Sequence, residues 1–225
     1  MSLLWAPVVI ALYALSRLIY RRFRSPLTLP IALTGGALIA LLLLARLPLA
    51  PFVEGTRPIA WWLGPATVAL AVPVFRERAR LRAHARAVSL AVLAGAIASI
   101  GTVLTLGVAL RVSRVMILSL VPKSVTTPIA MPIAERLGGI PEVTAAVVVV
   151  TGMLGMLAGP ELLGLIGVRH PIARGLAMGT GTHGIGTARA LEESPLEGAM
   201  SGVAMVVSGV VTVVLAPILV RLVFP

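Results

Sequence analysis

Two polar groups in this chain, His183 and Lys123, lie where a membrane span would otherwise be expected. His183 belongs to GLAMGTGTHGIGTARA (residues 175–190), which sets one histidine, three threonines and an arginine among five glycines. Lys123 is the only lysine, against eighteen arginines, and sits in PKSVTTPIAMP (122–132) among hydroxyls and prolines. Polar groups at membrane depth are expensive, so they are functional candidates by default. The imidazole suits ligand binding or proton coupling near neutral pH. Lys123 beside Ser124, Thr126 and Thr127 forms a cradle for an anion, and the bland alternative is a lysine snorkelling to an interface. Thr180, Thr182, Thr187 and Arg189 are the matching polar candidates around His183, with Arg189 equally readable as a helix-end residue. Pro122, Pro128, Gly179, Gly181, Gly184 and Gly186 supply the backbone breaks. Glycine allows unusual dihedral angles and lets a ligand approach exposed amides. These residues together predict a small-molecule site at membrane depth.

Several chemistries are set aside. Gly179-Thr180-Gly181-Thr182-His183-Gly184 matches GxGxxG in letters, but a dinucleotide site needs it between a strand and a helix, within a βαβ unit. No second histidine or carboxylate stands at metal-ligand spacing beside His183, so neither a metal nor a cofactor is expected. The chain has no aspartate, so a Ser/His/Asp triad cannot be assembled, and Glu161 is a poor substitute. A carboxylate pair for hydrolysis is missing as well. An enzyme is not expected. With no cysteine, thiol chemistry and disulfides are excluded.

The elements that would position these groups are apolar spans. Hydrophobic residues make up 58% of the chain and charged ones 12%. Runs at 3–20, 29–47, 87–110, 143–157 and 198–220 approach or exceed the ~20 residues that cross a bilayer core. The fold class is an all-α polytopic membrane protein with about six to eight crossings. The net charge of +11 does not indicate nucleic acid. Its arginines cluster at 17–24 and 76–86, flanking spans as the positive-inside rule requires, and aromatics for base stacking are few. The N-terminal run lacks the basic start and the cleavage site of a signal peptide, and is expected to be a retained helix.

In order, the pattern predicts helices at 3–20 and 29–47, the second with Gly35-Gly36 for close packing. A short external loop at 48–58 follows, and then a segment at 59–75 interrupted by Pro65 and Pro73. Residues 1–58 form an N-terminal part and 59–225 the core. The arginine-rich 76–86 reads as a cytoplasmic connection in which His84 is solvated. Small residues on 87–110, including Gly95 and Ser99, suit close helix packing. Glu192, Glu193, Pro195 and Glu197 mark a surface turn. A small-residue span, a basic turn and a broken polar segment occur at 87–132 and again at 143–190. If the broken segments (115–134 and 172–190) are re-entrant, the copies are inverted and meet near the midplane, with 111–114 outside and 169–174 inside. If they span, there are eight crossings.

LGPATVALAVP (63–73), LVPKSVTTPIAM (120–131), GGIPEVTA (138–145) and GLAMGTGTHGIGTARALE (175–192) together resemble the LrgB/CidB family, from about residue 60 to the C-terminus. Thr182 and Gly184 stand where that family commonly has alanines beside its histidine. The resemblance implies a multi-pass protein of the bacterial inner membrane, working beside a small LrgA/CidA-type membrane partner; self-association is left open. It carries two functional descriptions. One is an antiholin- or holin-associated modulator of murein hydrolase activity and autolysis. The other is carboxylate transport, since the plastid glycolate/glycerate translocator contains an LrgB-like half. The residues favour the carrier: a pyruvate- or glycolate-like anion suits Lys123, exposed amides, threonine hydroxyls and His183, whereas an assembling pore gives no reason for them.

Overall fold

The computed structural model describes residues 4–23, 28, 30–62, 65, 68–69, 71–76, 78–83 and 85–224. Its described regular structure is helical, and it divides into two compact units, Met1–Ala69 and Leu70–Pro225.

The first unit contains α1 (Trp5–Phe23), α2 (Pro30–Leu44) and α3 (Leu49–Trp61). Thr34 of α2 donates to Ser16 of α1 (3.1 Å), a buried pair that satisfies two hydroxyls inside an apolar contact. Trp5 meets Phe52 of α3 edge-to-face at 5.2 Å. Two expectations are corrected here. Residues 49–61 are helical rather than a loop: Pro51 falls in the first turn, where the N–H it lacks would have no intrahelical acceptor. Gly35 and Gly36 have open space where a Cβ would stand, so α2 does not pack through them. Trp61 and Trp62 are exposed, with their rings edge-to-face. Most of 63–70 and His84 lie outside the described residues.

The second unit contains two short helices, α4 (Ala71–Arg76) and α5 (Arg78–Ala83), so the described residues of the arginine-rich run are helical. Three long apolar helices follow: α6 (Ala85–Ala109), α9 (Pro141–Leu165) and α11 (Pro195–Val223). At ~1.5 Å per residue each is long enough to cross a ~30 Å hydrocarbon core. Between them lie α7 (Arg114–Leu120), α8 (Thr127–Leu137) and α10 (Pro171–Glu193). Boundaries follow local chemistry. Pro141, Pro171 and Pro195 open their helices, where a missing N–H costs nothing. Ser194 caps α11 by accepting from the Glu197 N–H (3.1 Å). Gly138 ends α8 in the left-handed conformation (φ 87°).

Neither polar segment crosses the protein. The end of α6 at which it begins is called here the near face, and the other the far face. Ile117 packs against Gly107 near the far end of α6, and Ser124 bonds Ser99 at its middle, so α7 runs back down α6 from the far face. The chain turns at 121–126, and α8 then returns alongside α11. Its end is tied to α7: the Ile140 N–H donates to Ser119 Oγ (2.7 Å), and Thr144 Oγ1 donates to Ser119 O (2.8 Å).

α10 performs the opposite manoeuvre. It breaks at His183 (φ 45°, ψ −140°), and Arg174 near its start reaches Glu193 at its end (3.8 Å). Nineteen residues of straight helix would separate those two by roughly 28 Å. α10 is therefore a hairpin of two arms, 171–182 and 184–193, entering from and returning to the near face. A helix followed by a re-entrant hairpin thus occurs twice, as α6 with α7–α8 and as α9 with α10, in opposite orientations. This is an inverted repeat.

Glycine decides how α10 is held. Cβ atoms at Gly152 and Gly159 of α9 would come within 2.6 Å of His183 Cε1 and Met178 Sδ, and one at Gly155 would overlap Thr182. On the other side, Gly175 and Gly179 admit the α11 backbone at the carbonyls of Glu197 and Ser201. The hairpin is thus packed between two spans at backbone distance. The turn expected at 192–197 lies at the surface in Glu192, Glu193 and Pro195, which are exposed, but not in Glu197, which is 3% exposed and paired with Arg174.

Candidate functional site

The two hairpin tips approach α6 on one stripe of that helix. Gly95 faces Thr180 of α10: a Cβ at 95 would come within 2.8 Å of Thr180 Cγ2. One turn further, Ser99 Oγ and Ser124 Oγ are 2.7 Å apart. Lys123 Nζ donates to both hydroxyls at 3.3 Å. The ammonium accounts for one lone pair on each serine, and the serines share a proton between themselves. Among the described residues no carboxylate pairs with Lys123. Gly95 and Ser99 lie roughly 15 and 21 Å along an α6 of about 37 Å, near mid-depth.

His183 occupies the tip of the other hairpin and is 3% exposed. Its Nε2 lies 2.9 Å from Val148 O. A carbonyl can only accept, so Nε2 carries a proton and donates it to Val148 O. Its dihedral angles fall near a region otherwise populated by glycine, a conformation that costs about 1–3 kcal/mol and is held only when surroundings over-determine it. Three features hold it: the missing Cβ at Gly152, the Val148 carbonyl, and Thr187, whose Oγ1 donates to His183 O (2.8 Å). Thr187 Oγ1 is in turn 2.8 Å from the buried Ser201 Oγ, which must donate to it.

The candidates separate into three groups. Lys123 and Ser124 stand together with Ser99. Thr126 and Thr180 each bury a hydroxyl without a partner among the described residues, and Thr127 is the half-buried first residue of α8. A buried unsatisfied hydroxyl costs about 1–3 kcal/mol, so both sites suit a bound solute or water. Thr182 and Thr187 serve the hairpin itself: Thr182 donates to Met178 O (2.6 Å) and fits the notch at Gly155, while its side chain also abuts Gly186 across the hairpin. Arg189 is elsewhere, at the near face, within reach of Glu161 (3.8 Å), Glu192 (3.3 Å) and Glu193 (2.7 Å). Of the hinge residues, Pro122 is fully buried in the first tip, Pro128 is the second residue of α8, Gly181 faces open space and Gly184 lies beside Met205.

Three participants were not singled out by sequence. Ser99 stood out only as a small residue on an apolar helix. Arg174 and Glu197 form a buried pair (3.2 Å), with Arg174 also donating to Pro160 O and Val168 O (3.3 Å each). Their spacing of 23 residues hides that contact. The signal available was opposite charge at the two ends of a glycine-broken segment.

Between α6 and the first arm of α10 lies a cavity of about 700 Å³. It extends from Ala87 and His170 at the near face to Gly95, Thr180 and Gly181 at mid-depth. Among the described residues no cluster of histidine and carboxylate side chains could hold a metal.

These features define a class: an α-helical membrane protein in which two polar hairpins, entering from opposite ends, reach one stripe of a long apolar helix. The sequence matches the profile of the LrgB-like family over residues 9–222. It is 36% identical over 212 residues to the uncharacterized protein YwbG of Bacillus subtilis, covering 94% of each chain. Similarity to the antiholin-like protein LrgB of Bacillus subtilis is 34% over 185 residues, covering 82% of this chain and 80% of that one. An uncharacterized protein of Haemophilus influenzae shares 35% over 209 residues, covering 92% and 89%. No solved structure matches the chain. The protein belongs to the LrgB-like family.

Proposed function

We propose that this LrgB-like protein is a carrier for small carboxylates, of the pyruvate or glycolate kind, in the bacterial inner membrane. The observation that carries this reading is the Lys123 ammonium, held at mid-depth by Ser99 and Ser124 and lacking a carboxylate partner among the described residues. An unneutralised cation in such surroundings is stabilised by an anion that comes and goes. A carboxylate there would accept from Lys123, and the hydroxyls of Thr126 and Thr180 are free to meet further oxygens. Inverted hairpins meeting at mid-depth are the plan on which many secondary transporters place their substrate. By the positive-inside rule the near face, with Arg76, Arg78, Arg82 and Arg86, is cytoplasmic.

A second reading follows from relatives named antiholin-like: a modulator of murein hydrolase activity, working beside a small membrane partner. The two meet if altered carboxylate traffic changes autolysis downstream. The deciding experiment is uptake of labelled pyruvate or glycolate into proteoliposomes, with and without a small LrgA/CidA-type partner, alongside leakage of an inert dye. Saturable uptake without dye leakage, lost in Lys123→Gln, is expected. Dye leakage without substrate preference would replace the carrier by the modulator reading.

A further inference from the structure

We propose that the cavity between α6 and the first arm of α10 is the aqueous entrance to the Lys123 site from the near face, and that the Thr180–Gly95 contact is its inner gate. This rests on the carrier reading above and adds to it the route and the point of closure.

The cavity's walls are built to leave room. Ala87, Ala91 and Gly95 recur every fourth residue on α6, and Ala173, Ala177 and Gly181 do the same on α10, so each helix presents one stripe of minimal side chains to the space between them. The volume of about 700 Å³ falls within the range of formed ligand pockets, several times what a three-carbon acid needs. At the inner end Thr180 closes on Gly95, and Ser99 with its bound Lys123 lies one helical turn beyond. Thr180 is 7% exposed and its hydroxyl has no partner among the described residues. An unpaired hydroxyl at the end of a cavity is a group whose bonding is completed when the contact opens and a solute or water enters.

The opposite half of the molecule is closed. From mid-depth to the far face, Ile100, Leu104, Ile117, Val121, Val125 and Ala216 form one buried apolar cluster across α6, the first hairpin and α11. The buried hydroxyls on that side, Ser119 and Thr144, are taken up by backbone hydrogen bonds around the start of α9. The structure is therefore open up to the gate from the near face and sealed from the far one, as one of the two end states of a carrier should be.

The chain contains no cysteine, so single-cysteine variants of the full protein report accessibility directly. Ala91→Cys, Ala177→Cys, Ser99→Cys and Leu104→Cys would be exposed, in vesicles of known orientation, to a charged membrane-impermeant thiosulfonate. Ala91→Cys and Ala177→Cys should react at least tenfold faster from the near face than from the far face, and Leu104→Cys from neither. Ser99→Cys should react slowly, and at least tenfold faster in the Thr180→Ala background, which removes the methyl seated on Gly95. If Ala91→Cys and Ala177→Cys resist the charged reagent yet react with a lipophilic maleimide, the cavity is a lipid-facing groove and the entrance is refuted. Equal Ser99→Cys rates with and without Thr180→Ala would refute the gate. Labelling is read independently of uptake: correct labelling without carboxylate uptake overturns the solute class alone, and Lys123-dependent uptake without labelling overturns the entrance alone.

Discussion

Replacing His183 by glycine and by alanine should separate what its backbone costs from what its ring contributes. The residue holds φ 45° and ψ −140°, a region that costs a residue with a Cβ about 1–3 kcal/mol and costs glycine little. Its ring makes one buried hydrogen bond, to Val148 O, with a net contribution of about 0.5–1.5 kcal/mol. His183→Ala keeps the strained backbone and loses the bond and the packing on Gly152, so it should lower stability by about 1–2 kcal/mol. His183→Gly loses the same contacts but relieves the strain. After about 0.5–1 kcal/mol for glycine's extra chain entropy, it should still be more stable than His183→Ala by roughly 1 kcal/mol. For a domain of this size that is a difference of about 2–4 °C in Tm. The assay is thermal unfolding of purified protein in detergent, followed by the fraction remaining monodisperse. If the ring also serves the solute, both variants lose uptake equally while their stabilities diverge. An alanine variant as stable as the glycine variant, or more so, would refute the strain argument.

Other positions give sharper packing and charge tests. Gly155→Val places two methyls where Thr182 sits and should destabilise by about 1–3 kcal/mol or more, read as lost yield of monodisperse protein; Thr182→Gly in the same chain should recover part of it. Arg174→Met leaves Glu197 buried without its cation and should cost about 3–5 kcal/mol. Adding Glu197→Gln should restore much of that, measured as a double-mutant cycle on Tm. Arg189→Gln removes contacts that are partly solvent-exposed, so a change under about 1 kcal/mol and retained uptake are expected. Ser119→Ala removes the acceptor of the Ile140 N–H and should cost about 1–3 kcal/mol, with faster amide hydrogen exchange at Ile140.

How much of this was legible beforehand depends on the range of the physics involved. Hydropathy is local, so the long helices α6, α9 and α11 could be read from runs of apolar residues, and so could the membrane class. Glycine, proline and hydroxyl content is local too, which is why 122–132 and 175–190 stood out as breaks, and why Lys123 and His183 were found. Local reading failed where a residue's meaning depends on a distant partner. Residues 49–61 carry loop-like prolines and charges, yet Pro51 falls in a first turn that tolerates it and α3 packs on α1. Glu197 looks like a surface glutamate until Arg174 is brought to it from 23 residues away. Arg189 shares a motif with His183, but six residues beyond the tip the returning arm has carried it toward the near-face carboxylates.

The sequence by itself determined that this chain lives in a membrane, where its helices break, and which few polar side chains stand inside. Only the tertiary structure decided that both breaks are hairpins entering from opposite faces, that Ser99 completes the Lys123 cradle, and that glycines of α9 and α10 let α10 pack at backbone distance. The reason is that a backbone break states only that the helix stops. The direction in which the chain leaves is set by which neighbouring surface can take it, and here that surface is a row of glycines on one helix and the backbone carbonyls of another.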